Sequence, residues 1–155
     1  SNLGLNVVEI GRATIKDIPE LCTLLDYLFE QELEFEPDRE VQSRGLSAII
    51  DGEDVGDILL VRQAGEIIAM VNLLYTVSTA LGSRVAILED MVVLPDYRGQ
   101  GVGSRLLSYA TQFAKEQRCN RISLLTDSDN EGAHSFYQKH GFSHSFMVIF
   151  RLLLD

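Results

Sequence analysis

Residues 88–104, LEDMVVLPDYRGQGVGS, constrain the fold of this 155-residue chain more than any other stretch. They predict an apolar strand that ends at Pro95, then a loop with three glycines, then the start of a helix. Gly99, Gly101 and Gly103 remove side chains where backbone N–H groups can approach a ligand closely. Because the first N–H groups of a helix have no intrahelical partner, such a start favours anions, most often phosphate. The sequence therefore predicts a phosphate-bearing ligand at this loop.

Two common phosphate loops do not match these residues. A P-loop requires a glycine followed by Lys-Ser or Lys-Thr, and no glycine of the chain is followed by either pair. A dinucleotide fingerprint, G-x-G-x-x-G, could begin at Gly101, but Leu106 stands in place of its third glycine. What is left is the pattern Arg98-x-x-Gly101-x-Gly103, in which the guanidinium of Arg98 adds a cationic donor beside the backbone N–H groups.

This pattern also resembles a known family. Arg-x-x-Gly-x-Gly, after a strand ending in Val-Val-x-Pro and at the head of an amphipathic helix, is similar to the acetyl-CoA loop of the GNAT superfamily of N-acetyltransferases. A second block, NEGAHSFYQKHGF at residues 130–142, resembles the later motif of that family, Asn-x-x-Ala-x-x-Phe-Tyr-x-x-x-Gly-Phe, at all six positions. The order and spacing of the two blocks are also those of the family. The resemblance in element order runs from about Val7 to the C-terminus.

The order of predicted elements gives a mixed α/β fold. Hydrophobic periodicity and turn signals place strands and helices along the chain. They are a strand at 7–15, a helix opened by Asp17 and Pro19, a helix capped by Asp38 and running to about 50, strands at 58–62, 66–77 and 84–94, a helix at 103–118, a strand at 121–126, a helix at 130–140, and one long strand or two short ones at 142–154.

We expect a largely antiparallel sheet flanked by helices, with one parallel pair. Residues 84–126 form a β-α-β unit, so their two strands run parallel. The resemblance implies the GNAT acyl-CoA N-acyltransferase fold, in which these two strands splay apart and the pantetheine arm lies between them. We expect one domain over residues 7–155. Because the chain begins Ser-Asn without Met, residues 1–6 are interpreted as an N-terminal extension or the remainder of a tag.

Charge and composition narrow the partners. The formal net charge of −10 argues against nucleic acid, because phosphate backbones are bound mainly by Lys and Arg, and it suits a cationic or neutral substrate. No apolar run reaches the roughly 18 residues of a membrane span and no signal peptide is visible, so we expect no membrane association and a cytoplasmic location. Neither Cys22 and Cys119 nor the three histidines have the spacing of a metal site or a disulfide framework.

Transfer of an acetyl group from a thioester to an amine requires a base. A lysine-like amine is almost entirely protonated at pH 7, and neutralising it costs about 4.6 kcal/mol. Glu89 and Asp90 stand together in an otherwise apolar strand, and two-residue alternation puts them on opposite faces. They could simply bind backbone or Arg groups at the strand edge. By its position in the resemblance, Glu89 is the better candidate for a base, acting directly or through water.

The second block supplies the candidate acid. Tyr137 could be a core aromatic beside Phe136, but the resemblance implies a general acid that protonates the departing thiolate. Asn130 could cap its helix, contact the CoA arm, or both. The expected acetyl-CoA-binding residues are Met91, Val92, Val93, Arg98, Gly99, Gln100, Gly101, Val102, Gly103, Ser104, Asn130 and Tyr137. A backbone N–H near Met91–Val93 is the expected oxyanion donor.

The acceptor side is marked by a run of acidic residues. Its members are Asp26, Glu30, Glu32, Glu34, Glu36, Asp38 and Glu40. Such a run is usually a solvated face, but here it could also steer a cationic amine towards the site.

We expect an acetyl-CoA-dependent enzyme that acetylates the primary amine of a small molecule by direct attack. One alternative is a protein N-terminal or lysine acetyltransferase. Another is a non-catalytic acyl-CoA sensor, which the presence of both Glu89 and Tyr137 disfavours. Neither the acceptor nor the oligomeric state follows from the sequence, and a homodimer stays open.

Overall fold

The computed structural model of the protein describes residues 7–30 and 36–154. The chain forms two compact units, Ser1–Leu125 and Thr126–Asp155. Within its described residues, the first unit holds a five-stranded sheet, three α-helices and two short 3-10 turns, and the strands lie in the sheet in the order in which they follow one another along the chain. The described part of the second unit holds one helix.

The elements follow the predicted order up to the last helix. They are β1 Glu9–Arg12, α1 Ile18–Glu30, α2 Arg39–Asp51, β2 Gly56–Gln63, β3 Glu66–Ser78, β4 Ser83–Val93, α3 Val102–Glu116, β5 Ile122–Leu124 and α4 Glu131–Lys139, with 3-10 turns at Ile15–Asp17 and Pro95–Tyr97. Every strand pair is antiparallel except β4 with β5, which is parallel. The predicted mixed α/β fold with one parallel pair is therefore confirmed.

Local chemistry explains where α2 begins. The carboxylate of Asp38 accepts hydrogen bonds of 3.1 Å from the backbone N–H groups of Glu40 and Val41. These are two of the donors that a helix start leaves without partners, and a side-chain cap of this kind contributes about 1 kcal/mol. The predicted capping role of Asp38 is confirmed.

The turn between β2 and β3 is also set by local chemistry. Ala64 and Gly65 both have positive φ, 51° and 81°. A two-residue turn with both central residues left-handed matches the right-handed twist of the strands that it joins. This turn joins the two strands that the sequence predicts at 58–62 and 66–77.

One face of the sheet carries α1 and α2. Their apolar stripes pack on side chains of β2, β3 and β4 in one buried cluster: Ile18, Leu21, Cys22, Leu24, Leu25, Leu46, Ile58, Leu60, Ile67, Met70 and Val92. α3 packs against the same three strands, yet none of its residues belongs to this cluster. α3 therefore covers the opposite face, and the sheet separates it from α1 and α2.

The parallel pair is short. β5 pairs with β4 only from Ala86 to Leu88, whereas β4 continues to Val93. Among the described residues, the β5 side of β4 therefore has no strand partner beyond Leu88. This is the arrangement expected of two parallel strands that separate along their length.

The strand or strands expected at residues 142–154 are absent from the described structure, so this prediction is wrong there. Large apolar side chains in this segment are exposed: Phe146, Met147, Val148, Ile149, Phe150, Leu152, Leu153 and Leu154. The composition favours a strand, but a strand also needs a neighbour for its backbone hydrogen bonds, which a local pattern does not reveal. Among the described residues, no helix is long and apolar enough to cross a membrane.

Candidate active site

The glycine loop connects β4 to α3 through two left-handed residues. Gly99 has φ of 77° and Gly101, the residue before the first turn of α3, has φ of 82°. L-residues rarely adopt this conformation, and β-branched residues least of all. A Cβ built at either glycine meets no heavy atom within 4 Å, so the requirement for glycine comes from the backbone conformation rather than from crowding.

The start of α3 carries uncompensated positive potential. Gly101 offers no side-chain cap, and the first turn of the helix contains no acidic residue. The partial positive charge of the helix start therefore meets no carboxylate from within the helix. Val102 is buried and anchors the first turn, while Gly103 and Ser104 are half-buried beside it.

The loop before α3 is braced by its own side chains. The Nε–H of Arg98 donates to the main-chain oxygen of Val93 at 2.9 Å. The side-chain amide of Gln100 donates to the main-chain oxygen of Asp96 at 3.1 Å. Arg98, Gly99 and Gln100 are all exposed. The loop therefore presents a tethered cation and an open backbone to solvent, which fits a phosphate-bearing ligand.

β4 contains a bulge just before the loop. Between the pairs Met70–Val92 and Asn72–Glu89, β4 advances by three residues while β3 advances by two. Asp90 takes up the extra residue with φ of 53°, and its carboxylate accepts a 2.7 Å hydrogen bond from the Asn72 amide. Strict alternation therefore fails at this point, because Glu89 opposes Asn72 in register while Asp90 contacts its side chain.

Among the residues that the structure describes, the segment after the bulge pairs with a strand on one side only. Val92 and Val93 pair with Met70 and Ala69 of β3. Val92 is buried in the core, while Met91 and Val93 are half-buried and Glu89 is exposed. A strand carries backbone donors and acceptors along both edges, so this segment can accept an extended ligand arm on its β5 side.

The second unit carries the later motif on α4. Asn130 caps this helix by accepting a 3.1 Å hydrogen bond from the backbone N–H of Ala133. Tyr137 is half-buried, with its ring 5.1 Å from that of Phe136 and 5.6 Å from that of Phe142. Burial raises the pKa of the Tyr137 hydroxyl above its ordinary value. His134 contacts the main-chain oxygen of Asp127 at 2.9 Å.

Comparison with known proteins identifies the family. Residues 18–142 match the model of the acetyltransferase (GNAT) family. The chain belongs to this family. It is 29% identical over 139 residues to an aminoalkylphosphonate N-acetyltransferase of Salmonella typhimurium, which covers 90% of this chain and 87% of that protein.

Solved structures show the same fold. A possible acetyltransferase from Clostridium difficile 630 superposes with a TM-score of 0.86 at 16% identity, over 97% of this chain and 99% of that one. Glucosamine-6-phosphate N-acetyltransferase from Arabidopsis thaliana superposes with a TM-score of 0.75 at 20% identity, over 95% and 99%. The GNAT family uses acetyl-CoA, and the chain is accordingly an acetyl-CoA-dependent acyltransferase.

Structural roles account for part of the acidic run of this GNAT enzyme. Asp26 accepts from Arg39 at 3.2 Å and from the Gln42 amide at 3.0 Å, and Asp38 caps α2. Glu36 and the remaining described members are exposed. Glu32 and Glu34 lie outside the described residues. In the part of the chain that the structure describes, no group of three or more possible metal ligands occurs.

Asn72 is a residue beside the bulge that sequence reasoning missed. It is the one polar residue in the apolar run 67–74, IIAMVNLL, and only 2% of its surface is exposed. A single amide inside a buried strand indicates a hydrogen-bond partner, because a buried polar side chain lowers stability unless it is hydrogen-bonded. This was the signal that could have found Asn72. Asp90 shows a similar signal in the next strand, but neither strand alone indicates that the two side chains meet.

Proposed function

We propose that the protein transfers an acetyl group from acetyl-CoA to the primary amine of a small molecule by direct attack. One observation carries the proposal: the β4 edge that is free of β5 leads directly into a glycine loop whose helix starts without a cap. Such an edge fits an extended pantetheine arm, and such a loop fits the pyrophosphate that follows it.

Residues of both motifs would hold acetyl-CoA. Backbone groups of Met91, Val92 and Val93 are proposed to pair with the arm. The pyrophosphate would be bound by backbone N–H groups from Gly99 to Ser104 and by the guanidinium of Arg98. Asn130 and Tyr137 are proposed to complete the set. The cosubstrate supplies an acyl group that is already activated as a thioester.

In the proposed reaction, Glu89 removes the proton from the ammonium of the acceptor, directly or through one water. Support for Glu89 comes from its exposed position at the bulge, where a carboxylate is open to solvent and substrate. The neutral nitrogen attacks the carbonyl carbon, a C–N bond forms, the carbonyl oxygen takes the negative charge and the nitrogen becomes positively charged. The nitrogen then loses its second proton to water, so that collapse of the intermediate gives a neutral amide. A backbone N–H near Met91–Val93 would stabilise that oxyanion, a contribution typically worth a few kcal/mol.

Collapse of the tetrahedral intermediate breaks the C–S bond, and the sulfur leaves with the electron pair. Tyr137 is proposed to give this thiolate its hydroxyl proton. Burial raises the pKa of the Tyr137 hydroxyl, which supports the role because the group that has to donate a proton is then protonated at neutral pH.

We propose a cationic or neutral-tailed amine as the acceptor. The net charge of −10 and the exposed carboxylates between α1 and α2 support this choice. The relative from Salmonella typhimurium is named for aminoalkylphosphonates, amines with an anionic tail. An amine with an anionic tail is therefore the acceptor to compare with cationic and neutral-tailed amines.

A panel of acceptors tests the proposed function. The enzyme is incubated with acetyl-CoA and a polyamine, a neutral-tailed amine, an aminoalkylphosphonate or a peptide with a free N-terminus, and thiol release is followed. Acetylation of a small amine is expected. Acetylation of the peptide alone would favour a protein acetyltransferase. Acetyl-CoA binding without acceptor-dependent thiol release from any amine would favour a sensor.

We also propose that the protein forms a homodimer through residues 142–154. The support is the row of exposed apolar side chains in this segment, among them Phe146 and Phe150, since monomers rarely expose an apolar patch of this extent. A two-fold contact brings the same segment from both chains together and buries both copies at once. A cytoplasmic location stays a prediction.

A further inference from the structure

Asn72 occupies a place where an amide is costly. It lies inside β3, between Ile58 of β2 and Glu89 of β4, and 2% of its surface is exposed. By alternation from Met70, which belongs to the core cluster under α1 and α2, its side chain is on that same face. Its Oδ1 atom is buried and has no hydrogen-bond partner among the described residues.

An apolar residue would serve the core better. A buried acceptor without a partner carries its full desolvation penalty, whereas an apolar side chain of similar shape carries none. The one bond that the Asn72 side chain makes in the described structure is its 2.7 Å donation to Oδ2 of Asp90. An amide at position 72 is therefore explained by the hydrogen bond with which it holds the Asp90 carboxylate.

Asp90 has an unusual backbone for a residue inside a strand. Its φ of 53° is left-handed, a conformation that disfavours side-chain-bearing residues, although Asp and Asn tolerate it better than others. This residue makes the bulge in β4, and a bulge re-aims the backbone that follows it. The backbone that follows is Met91–Val93, the segment proposed to bind the arm of acetyl-CoA and the oxyanion.

We propose that Asn72 is a positioning residue for acetyl transfer. Its amide holds the Asp90 carboxylate, the carboxylate holds the left-handed backbone of the bulge, and the bulge aims the N–H groups of Met91–Val93. Asn72 itself touches no reacting atom. This inference rests on the proposed function, because it assigns a task to the strand segment that the reaction uses.

The first test replaces the amide. Asn72→Leu keeps the approximate volume and removes the bond to Asp90. We expect kcat to fall about 10- to 100-fold, where the upper figure is the loss that a misplacement of about 1 Å can cause. Calorimetry should find the affinity for CoA changed by no more than about threefold, because the phosphate loop is untouched and pairing with the arm is only partly lost.

A matched control separates positioning from stability. Gln42 is also a buried amide that donates one bond to a carboxylate, Asp26 Oδ1 at 3.0 Å, and has an unpartnered side-chain oxygen. Gln42→Leu is expected to change the melting temperature to an extent comparable with Asn72→Leu but to leave kcat within about twofold. A kcat of Asn72→Leu equal to that of Gln42→Leu would overturn the inference.

Rescue by glycine tests the backbone step directly. Glycine adopts positive φ without help, so Asp90→Gly in the Asn72→Leu background should restore kcat by about tenfold or more. Asp90→Asn should stay within about threefold of the wild type, because its Oδ1 still accepts from Asn72 and Asn tolerates the conformation. Absence of rescue would overturn the inference.

A second comparison does not depend on the folding of Asn72→Leu. With Asn72 in place, Asp90→Gly and Asp90→Ala both remove the carboxylate, but only glycine favours the left-handed backbone. We expect kcat of Asp90→Gly to exceed that of Asp90→Ala by about tenfold, and equal values would overturn the inference. Wild-type enzyme that acetylates no amine would instead contradict the proposed function, so the two failures are distinguishable.

Discussion

Arg98 is tied to the end of the strand that precedes it: its Nε–H donates to the main-chain oxygen of Val93 at 2.9 Å. The bond spans the 3-10 turn Pro95–Tyr97 along the chain and holds the Nε side of the guanidinium. A guanidinium has five N–H donors, so four remain that can donate hydrogen bonds to phosphate oxygens. Lysine has no equivalent of this bond, because its ammonium has no second nitrogen along the stem.

The first prediction therefore concerns Arg98→Lys. The charge is kept and the tether to Val93 is lost, so we expect the KM for acetyl-CoA to rise about tenfold. Acetyl-pantetheine, which lacks the pyrophosphate and nucleotide, is the control substrate, and its KM should not change. Equal effects on both substrates would show that Arg98 does not act on the phosphates.

The second prediction concerns Gly101. Valine at φ of 82° forces a strained backbone or a displaced loop, so Gly101→Val should abolish measurable CoA binding in calorimetry. Gly65→Val is the matched control, because Gly65 has φ of 81° and equally open surroundings but lies in the hairpin between β2 and β3. Both variants should lose comparable stability, about 1–2 kcal/mol, and only Gly101→Val should lose CoA. Unchanged affinity in folded Gly101→Val would refute the assignment.

The parts of the fold that the sequence predicts well depend on neighbours in the chain. The cap at Asp38 and the short connection between the strands predicted at 58–62 and 66–77 each need only a few adjacent residues. The glycines and the helix start already predict a phosphate ligand, and the family resemblance added acetyl-CoA as its expected identity. The resemblance also added the proposed acid role of Tyr137, which the local pattern alone leaves as a core aromatic.

The parts that sequence reasoning missed depend on residues far apart in the chain. The bulge at Asp90 is stabilised by Asn72 on another strand, so an alternation rule applied to β4 alone assigned Glu89 and Asp90 to opposite faces. The prediction of a strand at residues 142–154 was wrong for the same reason. Composition favours a strand there, but it does not indicate which strand, if any, would pair with it. The local sequence pattern therefore predicts most helices and strands, whereas the geometry of the site depends on contacts between residues that are far apart in the chain.

The third prediction concerns the acidic run. Replacing Glu32, Glu34 and Glu36 by Gln should raise the KM for a polyamine more than the KM for a neutral-tailed amine, because steering acts on charge. The difference should shrink as added salt shortens the screening length to below about 8 Å. Equal changes in KM for the two amines would show that the acidic run is only a solvated face and does not steer the acceptor.

The control for this prediction removes the same charge elsewhere. Glu9, Glu53 and Glu116 are exposed and lie outside the run, so replacing these three by Gln alters net charge equally. If this variant changed the KM for the polyamine as much as the first one does, the effect would belong to net charge and not to the run.

The fourth prediction concerns assembly. Sedimentation of the wild type should give a dimer, and Phe146→Asp combined with Phe150→Asp should give a monomer, because each side chain is exposed by 95% or more in the single chain. Val77→Asp is the control, since Val77 is also exposed, at 72%, but lies in β3. Wild-type protein that sediments as a monomer at every accessible concentration would contradict the homodimer.

The fifth prediction concerns the proton that Tyr137 is proposed to donate. Tyr137→Phe keeps the ring between Phe136 and Phe142 and removes only the hydroxyl. We expect kcat to fall about 10²–10⁴-fold with acetyl-CoA affinity nearly unchanged, the usual scale for one general acid. Because the pKa of a thiol is only about 8.5, its thiolate is an adequate leaving group even without a proton from Tyr137, so some activity should remain. Tyr109→Phe, the same change on an aromatic residue of α3 that stacks on Phe113, should keep the wild-type rate.

The pH dependence of kcat makes this prediction sharper. Burial raises the pKa of the Tyr137 hydroxyl, so the acid form persists above pH 10, the ordinary value for tyrosine. Activity that requires this proton should therefore hold up to pH 10 and decline only above it, while Tyr137→Phe should lack that decline. Wild-type turnover by Tyr137→Phe, under conditions where chemistry limits the rate, would remove the hydroxyl from the mechanism. Tyr137 would then serve α4 only as a packing aromatic.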